Sequence, residues 1–181
     1  MGLILVTACS KDEVTDLRSS SEVIYEKAKY ALDNNNHRNA TRYLEVLTTS
    51  FPFSNQAKQA QLDLIYAHYR SSSFEEAIDE AKQFEKENPT HPRVDYALYM
   101  RGLSSFEGQH EWYHEIFDVD LTKRPPTKTE EAFSVFSQLI RRYPDSIYVS
   151  DAKQRMVFLR NRLAKYENHV AQHYMERGAY V

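Results

Sequence analysis

The chain has 181 residues, of which only 4 are glycine and 6 are proline. So few turn-forming residues favour helices over a β-sandwich with many turns. The single cysteine excludes an internal disulfide and a thiolate zinc site. A net charge of -3 lacks the basic excess of a nucleic-acid-binding protein. Length and composition therefore predict a helical domain or short helical array, and we expect no nucleic acid, metal or cofactor.

The N-terminal residues resemble the end of a bacterial lipoprotein signal peptide. An apolar run over residues 3–6 leads through small residues to Cys9, and a charged segment follows. We therefore predict a lipid on Cys9, with residues 1–8 as a signal remnant and residues 9–20 as a tether. No Lys or Arg precedes Cys9, which indicates a truncated or mis-started signal. An unmodified cysteine is the alternative. No apolar run reaches the length of a membrane span, so membrane contact is expected through the lipid alone.

Three segments share a pattern that ends in proline. Pro52, Pro89 and Pro144 each follow an alanine by twelve residues and two further apolar or small residues by eight and five. The pattern residues are Ala40, Leu44 and Leu47, then Ala77, Ala81 and Phe84, then Ala132, Phe136 and Leu139. These spacings place them on one helix face, and proline then ends the helix. This is the second-helix pattern of a tetratricopeptide repeat, in which helix pairs stack into a solenoid.

A first helix is predicted before each second helix, beginning at Ser21, Gln56 and Pro92. Two of these helices contain the element Tyr-Ala-x-Tyr, at residues 66–69 and 96–99, which we interpret as one repeated element. Such aromatic stripes more often form repeat core than a ligand platform. The predicted array of about three and a half repeats covers residues 21–52, 55–89 and 92–144, and a partial unit over 147–181 that ends its helix at Gly178.

The third unit carries an insertion over residues 108–128, between its two helices. Within it, His110, Glu111 and His114 match H-E-x-x-H, in which two histidines bind zinc and the glutamate activates water. A zinc peptidase centred on these residues is therefore an alternative function. The context argues against it, because the motif lies within a helical repeat and lacks a third ligand at metzincin spacing.

Charge is distributed unevenly along the chain. The segment from Glu75 to Glu87 contains six acidic and two basic residues, whereas the segment from Arg141 to Lys165 contains seven basic and two acidic residues. Patches of opposite sign suit the docking of charged partners. Two solvated helix faces are the alternative.

Several longer strings resemble the BamD family of outer-membrane lipoproteins. They include FPF at 51–53, NPTHP at 88–92, YMRGL at 99–103 and RLAKYE at 162–167. The resemblance covers Cys9 to Val181. It implies five repeats in the family, a lipid on Cys9, and membership of the complex that folds β-barrel proteins into the outer membrane of Gram-negative bacteria. It also implies a location at the periplasmic face and no enzymatic activity. Because the pattern ends inside a fourth repeat, we expect the C-terminal repeats to be missing.

The resemblance further implies two kinds of partner. The first repeats are expected to receive the C-terminal segment of unfolded barrel proteins, and the last repeats to dock on the barrel subunit BamA beside accessory lipoproteins. We expect stacking on aromatic rings and a cation for the terminal carboxylate. The groove candidates are Phe51, Phe53, Tyr66, Tyr69, Tyr96 and Arg101. The docking candidates are Arg155, Arg160, Arg162 and Lys165. A periplasmic repeat scaffold of another envelope assembly is an alternative.

Overall fold

The computed structural model describes residues 21–108 and 126–178, and within them all regular structure is helical. The helices are α1 (Ser21–Asp33), α2 (His37–Ser50), α3 (Ala57–Arg70), α4 (Phe74–Glu87), α5 (Val94–Glu107), α6 (Thr127–Arg142) and α7 (Val149–Glu176). The pairs α1–α2, α3–α4 and α5–α6 follow the repeat pattern, and α7 follows as a further first helix. The predicted all-α repeat fold is therefore confirmed.

The chain divides into two compact units between Leu64 and Ile65, within α3. In the first unit α1 packs against α2. In the second unit α4 packs against α5, α5 against α6, and α6 against α7. Helix α6 begins at Thr127, so the last residues of the predicted insertion are helical.

Each second helix buries the face that its sequence pattern predicts. All nine pattern residues are at most 1% exposed. The helices then end in the same way, because the residue before proline still donates its backbone N–H to the carbonyl four residues earlier and proline has no N–H to continue. These donor and acceptor pairs are Phe51 and Leu47, Asn88 and Phe84, and Tyr143 and Leu139.

The turns after the three second helices share one hydrogen bond. The residue two positions after proline donates its backbone N–H to the carbonyl of the residue before proline, over 3.0 Å. The pairs are Ser54 and Phe51, His91 and Asn88, and Ser146 and Tyr143. The position directly after proline holds Phe53, Thr90 or Asp145. The turn therefore does not require an aromatic side chain at that position.

Helices α1 and α5 also share a register. Ile24, Ala28 and Ala31 of α1 are buried, and so are the residues of α5 that follow each of them by 74 positions, Leu98, Gly102 and Ser105. A Cβ atom on Gly102 would lie 2.6 Å from Cε1 of Phe136. Glycine therefore allows α5 and α6 to approach closely at this point.

Helix α7 ends where its sequence predicts. Gly178 adopts a φ of +69° just after the helix, a conformation that glycine adopts without strain. None of the helices within residues 21–108 and 126–178 combines the length and apolar character needed to cross a membrane.

Candidate functional site

Half-exposed aromatic side chains from three helices of the second unit gather near Arg155. We call this group the aromatic cluster. Its members are Tyr69 at the end of α3, Tyr99 and Phe106 of α5, Tyr148 directly before α7, and Phe158 within α7. The ring centroids of Phe106 and Phe158 are 5.6 Å apart in an edge-on arrangement. Burial raises the pKa of Tyr69, and the charges of Glu107 and Arg155 lie close enough to affect that pKa as well. Together the rings form a partly exposed apolar surface.

Tyr99 is held in the cluster by a stacked ring and a hydrogen bond. Its ring lies 4.5 Å from that of Tyr148, at 16° between the planes. Its hydroxyl donates to Oδ2 of Asp151 over 2.8 Å. Burial, followed by this hydrogen bond, raises the pKa of Tyr99 to about 12. Tyr99 is therefore a fixed, neutral hydrogen-bond donor at physiological pH.

Arg155 is also engaged within the cluster. Its Nε donates to Oδ2 of Asp151 over 2.6 Å, and Nη1 lies 3.6 Å from Oε1 of Glu107. Its guanidinium carbon lies 5.1 Å from the centroid of the Phe106 ring. Burial alone would raise the pKa of Asp151, but hydrogen bonds from Arg155 and Tyr99 hold that pKa below its usual value. Two carboxylates thus compensate the Arg155 charge, and the cluster offers ring surface more than cationic charge.

Two of the predicted groove residues belong to this surface or border it, and a third lies on the same helix. Tyr69 is a member of the cluster, and the ring of Tyr96 lies 5.8 Å from that of Tyr148. Tyr66 lies one helical turn before Arg70, whose guanidinium is 5.8 Å from the tyrosine ring. The structure thus brings Tyr69 and Tyr96 to one region and places Tyr66 on the same helix as Tyr69.

The two Tyr-Ala-x-Tyr elements are not equivalent, contrary to the sequence interpretation. The element at 66–69 ends α3, whereas the element at 96–99 lies near the start of α5. The 37-residue spacing of the first two repeats instead aligns Tyr69 with Phe106. Sequence reasoning missed Phe106, Tyr148, Phe158 and Asp151 as site residues. The repeat register applied to Tyr69 could have identified Phe106.

Arg101 lies at the junction of three helices. Its Nη1 donates to Oε1 of Glu85 in α4 over 2.8 Å, and its Nη2 donates to Oε1 of Gln138 in α6 over 3.1 Å. Burial raises the pKa of Glu85, although the charge of Arg101 opposes this effect. A ligand carboxylate would have to compete with Glu85 for Arg101. The acidic run on α4 is further used internally, because Glu75 pairs with Lys128.

Phe51 and Phe53 lie in the first unit. Phe51 is half-buried at the C-terminal end of α2, whereas Phe53 is 99% exposed in the following turn. Phe53 can therefore contact a partner without any change in the fold.

The predicted docking patch divides between two environments. Arg160 and Lys165 are exposed on α7, whereas Arg162 is half-buried and its pKa is lowered by burial. Arg155 belongs to the aromatic cluster. Only Arg160 and Lys165 therefore present fully accessible positive charge to a docking partner from among these four residues.

Cys9, His110, Glu111 and His114 lie outside the described residues. Within residues 21–108 and 126–178, no three His, Cys, Asp or Glu side chains come together in a way that could hold a metal ion.

Helix pairs that follow a repeated sequence pattern define this chain as an all-α helical-repeat protein. The family model described as an outer membrane lipoprotein, YfiO, matches residues 18–181. Among curated proteins, the outer membrane protein assembly factor BamD of Vibrio cholerae is 37% identical over 183 residues, covering 100% of this chain and 75% of that protein.

Two further relatives carry the same name. BamD of Neisseria gonorrhoeae is 36% identical, covering 100% of this chain and 70% of that protein. BamD of Pasteurella multocida is 32% identical, covering 97% of this chain and 67% of that protein. The chain belongs to the YfiO family of outer membrane lipoproteins, which includes BamD. It is a non-enzymatic protein of outer-membrane protein assembly, and the zinc-peptidase alternative is not retained.

Proposed function

We propose that the aromatic cluster receives extended segments of unfolded outer-membrane β-barrel proteins, so that the chain acts as a receptor within the assembly complex. The observation that carries this proposal is the grouping of five partly exposed rings from α3, α5 and α7 on one surface of the second unit. Barrel strands carry aromatic residues that face the lipid interface, and such residues gain free energy by stacking on other rings.

The contacts around Arg155 favour recognition by stacking over recognition of a terminal carboxylate. Arg155 already faces Asp151 and Glu107, and Arg101 faces Glu85. Displacing any of these carboxylates would leave a partly buried charge without its partner, which is costly. The groove candidates Tyr66, Tyr69 and Tyr96 remain part of the proposal, as do Phe51 and Phe53 for a second contact in the first unit.

Peptide binding tests this proposal directly. A labelled 15-residue peptide from the C-terminus of a barrel protein is titrated with the chain and followed by fluorescence anisotropy. We expect Phe158→Ser to weaken binding about tenfold, which corresponds to about 1.4 kcal/mol, because the most exposed ring of the cluster is lost. Val157→Ser is the matched control, since Val157 and Phe158 are 50% and 49% exposed on the same helix. Equal affinity of the two variants would remove the cluster from the proposal.

Phe53→Ala provides the corresponding test in the first unit. A side chain that is 99% exposed contributes little to the fold, so its replacement does not unfold the chain. Weaker binding of the same peptide would support a contact at this turn. Unchanged binding would exclude Phe53, and the double variant with Phe51→Ala would then decide the role of Phe51.

We also propose that the exposed positive charge of α7 docks on the barrel subunit BamA, beside the accessory lipoproteins. Arg160 and Lys165 are exposed on this helix, and the side chain of Arg162 is partly exposed. Reversing the charge of Arg160 and Lys165 to Glu is expected to reduce co-purification of the full-length protein with BamA. A charge reversal at exposed Lys58 on α3 is the control.

The proposed lipid on Cys9 would anchor the chain at the periplasmic face of the outer membrane. Support comes from the lipoprotein description of the family and from the small residues before Cys9. Replacement of Cys9 by Ser is expected to move the protein from the membrane fraction to the soluble fraction and to remove the lipid mass from its N-terminal peptide. An unchanged fraction and mass would exclude this anchor.

A further inference from the structure

Asp151 and Glu107 both approach Arg155 in the aromatic cluster, but they are held in different ways. Asp151 accepts hydrogen bonds from Nε of Arg155 over 2.6 Å and from the hydroxyl of Tyr99 over 2.8 Å. Oε1 of Glu107 lies 3.6 Å from Nη1 of Arg155, which is longer than an ordinary hydrogen bond. Asp151 is therefore fixed by hydrogen bonds, whereas Glu107 interacts with Arg155 mainly through its charge.

Stability alone does not favour an acidic residue at position 107. The side chains of Glu107 and Arg155 are 35% and 26% exposed, and ion pairs that water can reach contribute little to stability. Glu107 is also the last residue of α5, where the partial negative charge of a helix C-terminus disfavours a carboxylate. The residue 37 positions earlier, at the end of α3, is Arg70. The carboxylate of Glu107 therefore calls for a reason other than stability.

Glu107 affects how the exposed rings respond to negative charge. Burial raises the pKa of Tyr69, and among the charges that act on this hydroxyl Glu107 has the largest effect and raises the pKa further. Arg155 and Arg70 act in the opposite direction. Ionised Tyr69 would be an anion at the surface of the cluster, so a charge that disfavours it also disfavours a ligand carboxylate at the same place.

The charges around Tyr69 show what Glu107 contributes. Among the described residues, Arg70 and Arg155 act as cations on this ring, and Asp151 and Glu107 act as anions. Their formal charges cancel. Without Glu107, two cations would face one anion, and Nη1 of Arg155 would be accessible to a ligand carboxylate. Loss of Asp151 would also release Tyr99, so Glu107 is the carboxylate that can set this balance without disturbing the packing of α5 on α7.

We propose that Glu107 is a specificity-determining residue of the aromatic cluster, where it cancels the attraction of Arg155 for a carboxylate on the bound segment. This inference rests on the function proposed for the cluster and adds the chemical class of segment that it takes. A segment is selected by its aromatic rings, and a carboxylate beside those rings adds no affinity.

Two forms of the labelled barrel-protein peptide test the role of Glu107. One form has a free C-terminal carboxylate, and the other has a C-terminal amide. For the parent chain we expect affinities in low salt that agree within about twofold by fluorescence anisotropy, because the charges near Arg155 cancel. Glu107→Gln is expected to bind the free acid about fivefold more tightly than the amide, because a guanidinium then pairs with the ligand carboxylate. Circular dichroism confirms that each variant is folded.

Glu87→Gln is the matched control. Glu87 is the exposed last residue of α4, as Glu107 is the last residue of α5. A short turn leads from Glu87 to the start of α5, and the 14 residues of α5 span about 21 Å. The two carboxylates therefore flank opposite ends of α5, and Glu87→Gln is expected to leave both affinities unchanged.

The outcomes separate this inference from the function on which it rests. If Phe158→Ser binds both peptides as tightly as the parent, the cluster is not the binding surface and both proposals are wrong. If Phe158→Ser weakens binding but Glu107→Gln gains no preference for the free acid, only the role of Glu107 is overturned. A parent chain that already prefers the acid fivefold would overturn it as well. Adding Arg155→Gln to Glu107→Gln is expected to abolish the new preference, and its persistence would contradict the part assigned to Arg155.

Discussion

Helices α1 and α5 pack alike on one face, but the adjoining face is buried in α5 and exposed in α1. Both bury a small residue at the same repeat position, Ala28 in α1 and Gly102 in α5. On the adjoining face, however, α5 buries Ser104 beneath a neighbouring helix, whereas α1 exposes Tyr30. A repeat can thus keep its internal core while its outer face is either covered by a neighbouring helix or left exposed.

Each of the two helices also has a tyrosine that donates a hydrogen bond to the next first helix. Tyr25 of α1 donates its hydroxyl to Asp63 of α3 over 2.9 Å, and Tyr99, at the same repeat position of α5, donates to Asp151 of α7 over 2.8 Å. Each tyrosine thus connects one first helix to the next. Around Tyr99 this contact is extended by the stacked ring of Tyr148, which contributes to the candidate binding surface.

The largest effect is expected where α5 has glycine in place of the alanine of α1. Replacing a helix-interior glycine normally stabilises a protein by about 1 kcal/mol. Gly102→Leu is nevertheless expected to lower the free energy of unfolding by about 3 kcal/mol, because the new side chain would overlap the fully buried ring of Phe136. Urea unfolding measures the loss. Partial recovery on adding Phe136→Ala is the control, and a stabilised Gly102→Leu variant would contradict the proposed close approach.

The cations at equivalent positions of the two helices provide the next test. Arg101 and Glu85 have side chains only 15% and 10% exposed, so Arg101→Leu leaves a desolvated carboxylate and is expected to cost about 2 kcal/mol at pH 7. Lys27→Leu, at the same repeat position of α1, is expected to change stability little.

The pH dependence identifies the carboxylate responsible. Burial raises the pKa of Glu85, and loss of Arg101 raises that pKa further. A folded-state pKa above the unfolded value destabilises the protein as pH rises through that range. The difference between the parent and Arg101→Leu should therefore shrink as pH falls towards 4, and Glu85→Gln should recover part of the loss. A difference that is constant with pH would assign the cost to packing alone.

A smaller effect is expected from the paired tyrosines. Tyr99→Phe keeps the ring stack but removes a hydrogen bond to Asp151, and is expected to cost about 1 kcal/mol at pH 7 because the carboxylate is partly exposed. The pKa of Asp151 is lowered in the folded protein, so this stabilisation is present above the unfolded-state pKa and is lost as pH falls through the folded-state pKa. Thermal unfolding at pH 7 and at successively lower pH should show the difference and then its decline as the Asp151 carboxylate is protonated. Tyr25→Phe is the matched variant in α1.

The fold could be predicted from the sequence because the core residues of each helix follow a regular spacing over a few residues of chain. Ala40, Leu44 and Leu47 occupy one helix face, and Pro52 limits that helix, so the pattern predicts both burial and helix end. The partners of Arg101 could not be predicted in this way. Glu85 and Gln138 lie 16 and 37 residues away, and only the packing of three helices brings them together.

The candidate sites were less predictable for the same reason. The sequence predicts Tyr69 and Tyr96 as groove residues, but similarity of the strings around them gave the wrong equivalence. The aromatic cluster depends on Tyr148, which follows a turn, and on the position of α7 beside α5. Tertiary packing therefore defines this cluster.

The smallest expected effect concerns the turns inside the first two repeats. Asn35 and Ser72 lie 37 residues apart and both adopt a positive φ, 55° and 60°. Asparagine tolerates this conformation better than serine does. Ser72→Gly is therefore expected to raise the free energy of unfolding by about 0.5 kcal/mol, because relief of strain exceeds the entropy cost of glycine. Asn35→Gly should have almost no effect. Urea unfolding with matched slopes measures both changes, and an equal gain in the two turns would show that residue type does not govern their strain.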